Sequence, residues 1–234
     1  MRPKETLAKI FADLTVPGPL TARQRPVRGG WSIGHIHSSA QTLGCLVADR
    51  SNPNTRYILG SNLMRTAKQG DQILQPGPLD GGEPEADVVA TLDRWVRPEP
   101  NSEKNLDAFL GRVGDRDAVS TEIEGIGRLK GVSSPDFNMR VMKVGRTTGL
   151  TSGEITLLSA SINVQYDDNL ILTFDDVIGT NVMSAGGDSG AILVNEDRRA
   201  VGILFAGGGG GGDISFYFPI ERVLDALRVS LILD

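Results

Sequence analysis

Ten short apolar stretches, each bounded by turn-forming residues, follow one another between residues 41 and 219 with no helical pattern among them. They run over 41–49, 56–61, 86–97, 105–113, 139–146, 153–166, 169–175, 190–195, 199–206 and 214–219. Alternation is plainest at Ile162, Val164 and Tyr166 against Ser161, Asn163 and Gln165, the period of two expected of a strand with one buried face. Many short strands without intervening helices predict an all-β chain of sandwich or barrel type. A length of 234 residues suits one large β unit or two small barrels. Helical spacing occurs only near the ends. Leu7, Ile10, Phe11 and Leu14 form one stripe, closed by Pro17 and Pro19, and Ile220, Val223, Leu224 and Leu227 form another. Residues 15–30, rich in proline and glycine, read as an extended connector. The acidic, proline-containing segment Gln75 to Glu85 reads as a loop on its turn residues alone.

Composition narrows the partners. A net charge of −5 with no basic block gives no signal for nucleic acid or anionic membranes. The opening MRPKETLAKIFADL interrupts every apolar run with charge, so it is read neither as a secretory segment nor as a membrane span. The single cysteine, Cys45, permits no internal disulfide and sits in an apolar strand pattern, which favours a reducing compartment and the expectation of a cytoplasmic protein. His35 and His37, the two histidines, have no cysteine or carboxylate cluster beside them, so no metal is expected, and no cofactor motif is present.

Chemistry concentrates at Gly187-Asp188-Ser189-Gly190. A serine hydroxyl becomes a nucleophile when a neighbouring base takes its proton, and acyl transfer also needs backbone N–H groups aimed at the developing oxyanion. Glycines on both sides allow the sharp turn and the close approach of a substrate carbonyl. The same tetrapeptide is also good surface-turn chemistry, and the surrounding sequence must decide.

GGDSGAILV followed by AVGILFAG resembles the nucleophile loop and following hairpin of the trypsin-like serine peptidases. Val141 to Gly153, VMKVGRTTGLTSG, is similar to the start of the second barrel in bacterial members of that family. SIGH at Ser32 to His35, followed by QTLGCLVAD and RYILGSN, resembles the start of the first. The resemblance covers about residues 30 to 229 and implies two antiparallel six-stranded-type β-barrels with short N- and C-terminal helices. The implied division is 1–30 for helix and connector, 31–130 for the first barrel, and 131–234 for the second barrel with the C-terminal helix.

The resemblance also implies a His, Asp, Ser triad in chain order. Asp107 and Ser189 match the aspartate and the nucleophile, whereas in YILGSNLMRTAK the place of the histidine is Leu63. Leucine accepts no proton, and loss of the base alone costs on the order of a million-fold in enzymes where it was measured. His35 and His37 lie upstream of the first barrel strand, and Lys68 or Lys143 could form a serine–lysine dyad only with a pKa lowered by burial. By resemblance the backbone N–H groups of Gly187 and Ser189 form the oxyanion hole, and Asp188 holds that loop through a cation the sequence does not identify. Met183 lies at the base of a specificity pocket for uncharged side chains, and Phe205, Ala206 and Gly207 line the substrate backbone. The six consecutive glycines Gly207 to Gly212 are expected to be mobile. Two functions follow. One is a pseudoprotease that keeps a cleft for a peptide or protein partner; the other is an active endopeptidase, with another base or with histidine at position 63 in its parent.

Overall fold

A computed structural model of the chain describes residues 14–16, 18–37, 40–62, 66–100, 102, 105–167, 170–207 and 214–233. The first half supplies β1 (Val27–Gly29), β2 (Ser32–His35), β3 (Gln41–Thr42), β4 (Leu46–Asp49), β5 (Arg56–Gly60), β6 (Gln72–Leu74), β7 (Val88–Val96), β8 (Ala108–Val113), β9 (Val119–Ile123) and β10 (Gly127–Arg128). The second half supplies β11 (Arg140–Gly145), β12 (Gly149–Asp167), β13 (Leu170–Asn181), β14 (Ile192–Asn195), β15 (Ala200–Gly207) and β16 (Ile214–Pro219). The helix α1 (Ile220–Leu227) and β17 (Val229–Leu231) complete the chain. Among the described residues no helix is long and apolar enough to cross a membrane.

The second half closes into a six-stranded barrel in the order β11-β12-β13-β16-β15-β14, with β14 returning antiparallel onto β11. The first half is an eight-stranded sheet, β17-β4-β5-β8-β7-β6-β2-β3, which does not close among the described residues. A small sheet of β1, β9 and β10 stands apart, and its β1–β9 pairing is parallel. A six-stranded ring beside a half-barrel agrees with the expected double-barrel fold, and the edge strand β17, from the far end of the chain, pairs with β4 of the first sheet.

Local patterns account for the elements. In β12, Ile162 and Val164 are half-buried while Ser161, Asn163 and Gln165 are exposed, as strand alternation requires. Ile220, Val223, Leu224 and Leu227 all face inward from α1, which ends at Arg228 in the left-handed region at φ 55°. The largest core cluster spans both halves, joining Leu59 and Leu110 to Met142, Ile192, Phe218 and Val223. In it Phe205 stacks on Phe218 with ring centroids 3.8 Å apart. Of the N-terminal helix pattern only Leu14 lies among the described residues; Leu7, Ile10 and Phe11 fall outside them.

The connector is not a free leader. Leu20 is buried in the shared core, its N–H donates to the Arg146 carbonyl at 2.6 Å, and its carbonyl accepts from Ser32 at 2.9 Å. Val16 accepts from Leu150 at 2.9 Å, so the segment binds across β12 and β2. Leu20→Ala should therefore cost about 2–4 kcal/mol, whereas Leu79→Ala, at a side chain 67% exposed, should stay within about 0.5 kcal/mol. Equal urea midpoints for the two variants would contradict this docking.

Candidate active site

The loop before β14 is shaped from beneath by Asp188, which is fully buried. One carboxylate oxygen, Oδ1, accepts the N–H groups of Thr147 and Thr148 at 2.8 and 3.2 Å. The other, Oδ2, accepts Lys143 Nζ at 3.0 Å, Thr148 Oγ1 at 2.7 Å and the Ala185 N–H at 3.1 Å. Thr148 Oγ1 in turn accepts from Lys143 Nζ, which closes the network. The motif in 141–153 thus has a local physical meaning: it is the donor shell of Asp188. A Cβ at Gly145 would lie 2.4 Å from Asp188 Oδ1, so only glycine leaves room for the carboxylate. Lys143 is the cation that the sequence left unidentified.

Above this anchor the backbone turns at Gly187, whose φ of 97° suits glycine, and where a Cβ would meet Thr147 Oγ1 at 2.6 Å. The N–H groups of Asp188, Gly190 and Ala191 are consumed by Ala185, Leu204 and Asp188 carbonyls. Among the described residues the N–H groups of Gly187 and Ser189 donate to nothing, and Ser189 Oγ has no hydrogen-bond partner. Two unengaged donors flanking a free hydroxyl can stabilise an oxyanion at a carbonyl held there.

The first half reaches this loop through Thr42 and Ser61. Thr42 donates its N–H to the Ser189 carbonyl at 2.9 Å and its hydroxyl to the Gly187 carbonyl at 3.0 Å, while Oγ1 accepts the Arg146 N–H at 2.9 Å. Ser61 Oγ donates to the Asp107 carbonyl at 2.7 Å, and a Cβ at Gly190 would lie 3.5 Å from Ser61 N. Ser61 therefore touches both the aspartate segment and the serine loop, so Asp107, 1% exposed, and Ser189 border one junction between the halves. Leu63, two positions beyond Ser61, lies outside the described residues, as do Gly208 to Gly212.

The other candidate bases are accounted for. His35 is buried, with Nε2 2.8 Å from Asp71 Oδ2 and Nδ1 accepting the His37 N–H at 3.2 Å. Both ring nitrogens are occupied, so it has no lone pair to offer Ser189. His37 is exposed beside it, with ring centroids 5.7 Å apart. Burial pushes the Lys143 pKa down against the opposing pull of Asp188, but its ammonium is fully enclosed and committed to that carboxylate. Lys68 is exposed.

The expected substrate residues divide. Met183 is 3% exposed and packs in the barrel core cluster with Leu204 and Tyr217, and Phe205 also packs inward. Ala206 is half-buried, while Gly207 is exposed at φ 115°. Arg146 and Asp80 were not found by sequence reasoning. The Arg146 guanidinium, 2.8 Å from Asp80 at its Nε, would stand 3.1 Å from a Cβ at Gly187. Arg146 lay inside the recognised motif; Asp80, in the segment read as a plain loop, carried no signal, and Ser32 Oγ also donates to it at 2.5 Å.

Replacing one partner of the buried pair should strand the other. Lys143→Met is expected to cost about 3 kcal/mol, with partial recovery on adding Asp188→Asn. A urea double-mutant cycle reads the coupling, and additive losses would contradict it. The Asp71 carboxyl is held below its ordinary value chiefly by the Lys68 N–H, then by His35. A depressed folded pKa stabilises above the unfolded value and is lost as pH falls. The stability gap between the parent chain and Asp71→Asn should thus be widest near neutrality and close below about pH 4.

No protein-family model matches the chain. Over 105 residues it is 32% identical to Serine protease 1 of Rarobacter faecitabidus, a match spanning 44% of this chain and 19% of that protein. The structure is similar to Thermobifida fusca Protease A, with a TM-score of 0.66, 18% identity, and coverage of 89% of this chain and 99% of the other. It is likewise similar to Nocardiopsis protease, with a TM-score of 0.65, 18% identity, and coverage of 88% and 98%. With a closed barrel, a sheet packed against it and the serine loop at their junction, the chain has the fold of the bacterial trypsin-like serine proteases.

Proposed function

We propose that this chain is a peptide-binding member of the serine-protease lineage that has lost all or nearly all hydrolytic activity, because Leu63 occupies the position of the base. The observation that carries the reading is the state of Ser189. Its hydroxyl has no hydrogen-bond partner among the described residues, although the loop around it is fully anchored. An oxyanion site without a proton acceptor can hold a carbonyl but cannot activate the attacking oxygen. The groove is supported by β15, whose pairing with β14 ends at Ile203, leaving the edge beyond Leu204 without a strand among the described residues. An extended peptide can add to such an edge. The partner is thus a peptide or protein segment, bound by a regulatory or interaction module. A cytoplasmic setting belongs to the same proposal and is supported by the lone thiol of Cys45, which burial pushes up to about 12 and so keeps inert.

The test is a serine-directed fluorophosphonate probe. The unmodified chain should label barely above background, although about a thousand-fold acceleration over water can persist from binding and oxyanion stabilisation alone. Leu63→His should restore labelling that Ser189→Ala abolishes, with Asp107 as the expected partner of the imidazole. Rapid, Ser189-dependent labelling of the unmodified chain would instead make it an active endopeptidase.

A further inference from the structure

The stretch leading into Ser189 turns against the start of β16, and three hydroxyls gather there. Met183 donates its N–H to Ser215 Oγ at 3.0 Å, and Ser184 Oγ lies 2.8 Å from the same atom. Tyr217 is two positions further along β16, on the same face as Ser215. It is fully buried, and its hydroxyl has no hydrogen-bond partner among the described residues. Burial raises its pKa, so it remains a protonated donor. Ser215 pairs in register with Gly207 at the end of β15, while Ala185, next to Ser184, is fixed by Asp188. The hydroxyls are therefore joined both to the serine loop and to the strand end where a peptide backbone would lie.

A donor count shows what this cluster lacks. Ser184 and Ser215 meet each other in one hydrogen bond, and the hydroxyl of Tyr217 has no hydrogen-bond partner among the described residues. Buried donors left unpaired are unfavourable, so the cluster suits an acceptor brought from outside. Ser184, at 7% exposure against none for Ser215 and Tyr217, is the member that solvent reaches.

On the reading that the cleft binds peptides, we infer that its side-chain pocket selects an uncharged carboxamide, that of glutamine or asparagine, through Ser184, Ser215 and Tyr217. An amide oxygen accepts from the Tyr217 hydroxyl, and its NH2 group donates to hydroxyl lone pairs of the cluster. A carboxylate would be buried without a cation, because Lys143 is held by Asp188. An ammonium would find no free carboxylate, and an aliphatic side chain would leave the Tyr217 donor unpaired. The hydroxyls, rather than Met183, set the selectivity.

The experiment titrates four acetylated peptides into the unmodified chain by NMR: three alanines followed by Gln, Leu, Glu or Lys. The Gln peptide should bind about tenfold more tightly than the Leu peptide, as polar sites discriminate against partners that leave their groups unpaired. Tyr217→Phe, which removes one oxygen, and Ser184→Ala should each erase most of that advantage, with the fold checked in the same spectra. Equal or tighter binding of Leu, Glu or Lys, or a Gln preference unchanged in both variants, overturns the assignment. Failure of all four peptides to bind overturns it together with the cleft reading. Absence of fluorophosphonate labelling in Leu63→His, with the Gln preference intact, counts against the catalytic ancestry of the site alone and supports the selectivity.

Discussion

A lysine and an aspartate, both without solvent contact, face each other beneath the serine loop, and most of the local architecture exists to make that arrangement tolerable. Two buried charges are costly unless every donor and acceptor is met. Here the carboxylate takes two backbone N–H groups on one oxygen, and the ammonium, a hydroxyl and a third N–H on the other. Those donors come from β11, the β11–β12 turn and Ala185, so the pair stitches the barrel wall to the loop that carries Ser189. The glycine at 145 and the threonine at 148 are consequences of the same requirement, one making space and the other bridging the charges. The outer face of that turn meets the first half through Arg146, Thr42 and the connector. The geometry of the loop therefore follows from charge neutralisation, through bonds of which none involves a catalytic base.

The sequence carried much of this in advance, for identifiable reasons. Short apolar runs between turn residues located most strands, and the stripe of Ile220, Val223, Leu224 and Leu227 located the terminal helix, because burial leaves a direct imprint on composition. Short strands such as β1, β6 and β17 left no such imprint, since three residues cannot establish a period. The resemblance carried the positions of Asp107 and Ser189, which border one junction, and of Gly187, whose positive φ only the structure reveals.

What the sequence withheld was mainly orientation and partnership. Nothing in the local pattern says that Lys143 meets Asp188, or that Asp80 meets Arg146, because these partners are 45 and 66 residues apart. Met183 was placed at a pocket by position along the chain, yet its side chain packs in the barrel core. The polar atoms there belong to Ser184, Ser215 and Tyr217, whose convergence depends on strand register. His35 was set aside on its position in the chain; the structure adds that Asp71 and the His37 amide occupy both of its nitrogens.

The strand β17 lies at the edge of the first sheet, antiparallel to β4, and Arg50 bonds the Val229 carbonyl across 179 residues of chain. Closure of so long a segment is entropically slow to reward, and non-local strand pairing of this kind retards folding. The sheet begun first during synthesis is therefore sealed last, by a strand that emerges only after the whole barrel has left the ribosome. Until then the outer edge of β4 is bare, a template for pairing with other chains. Between the making of β4 and that of β17 the edge therefore stands open, and α1, packed on β15 and β16 of the barrel, is the element that carries β17 across to it.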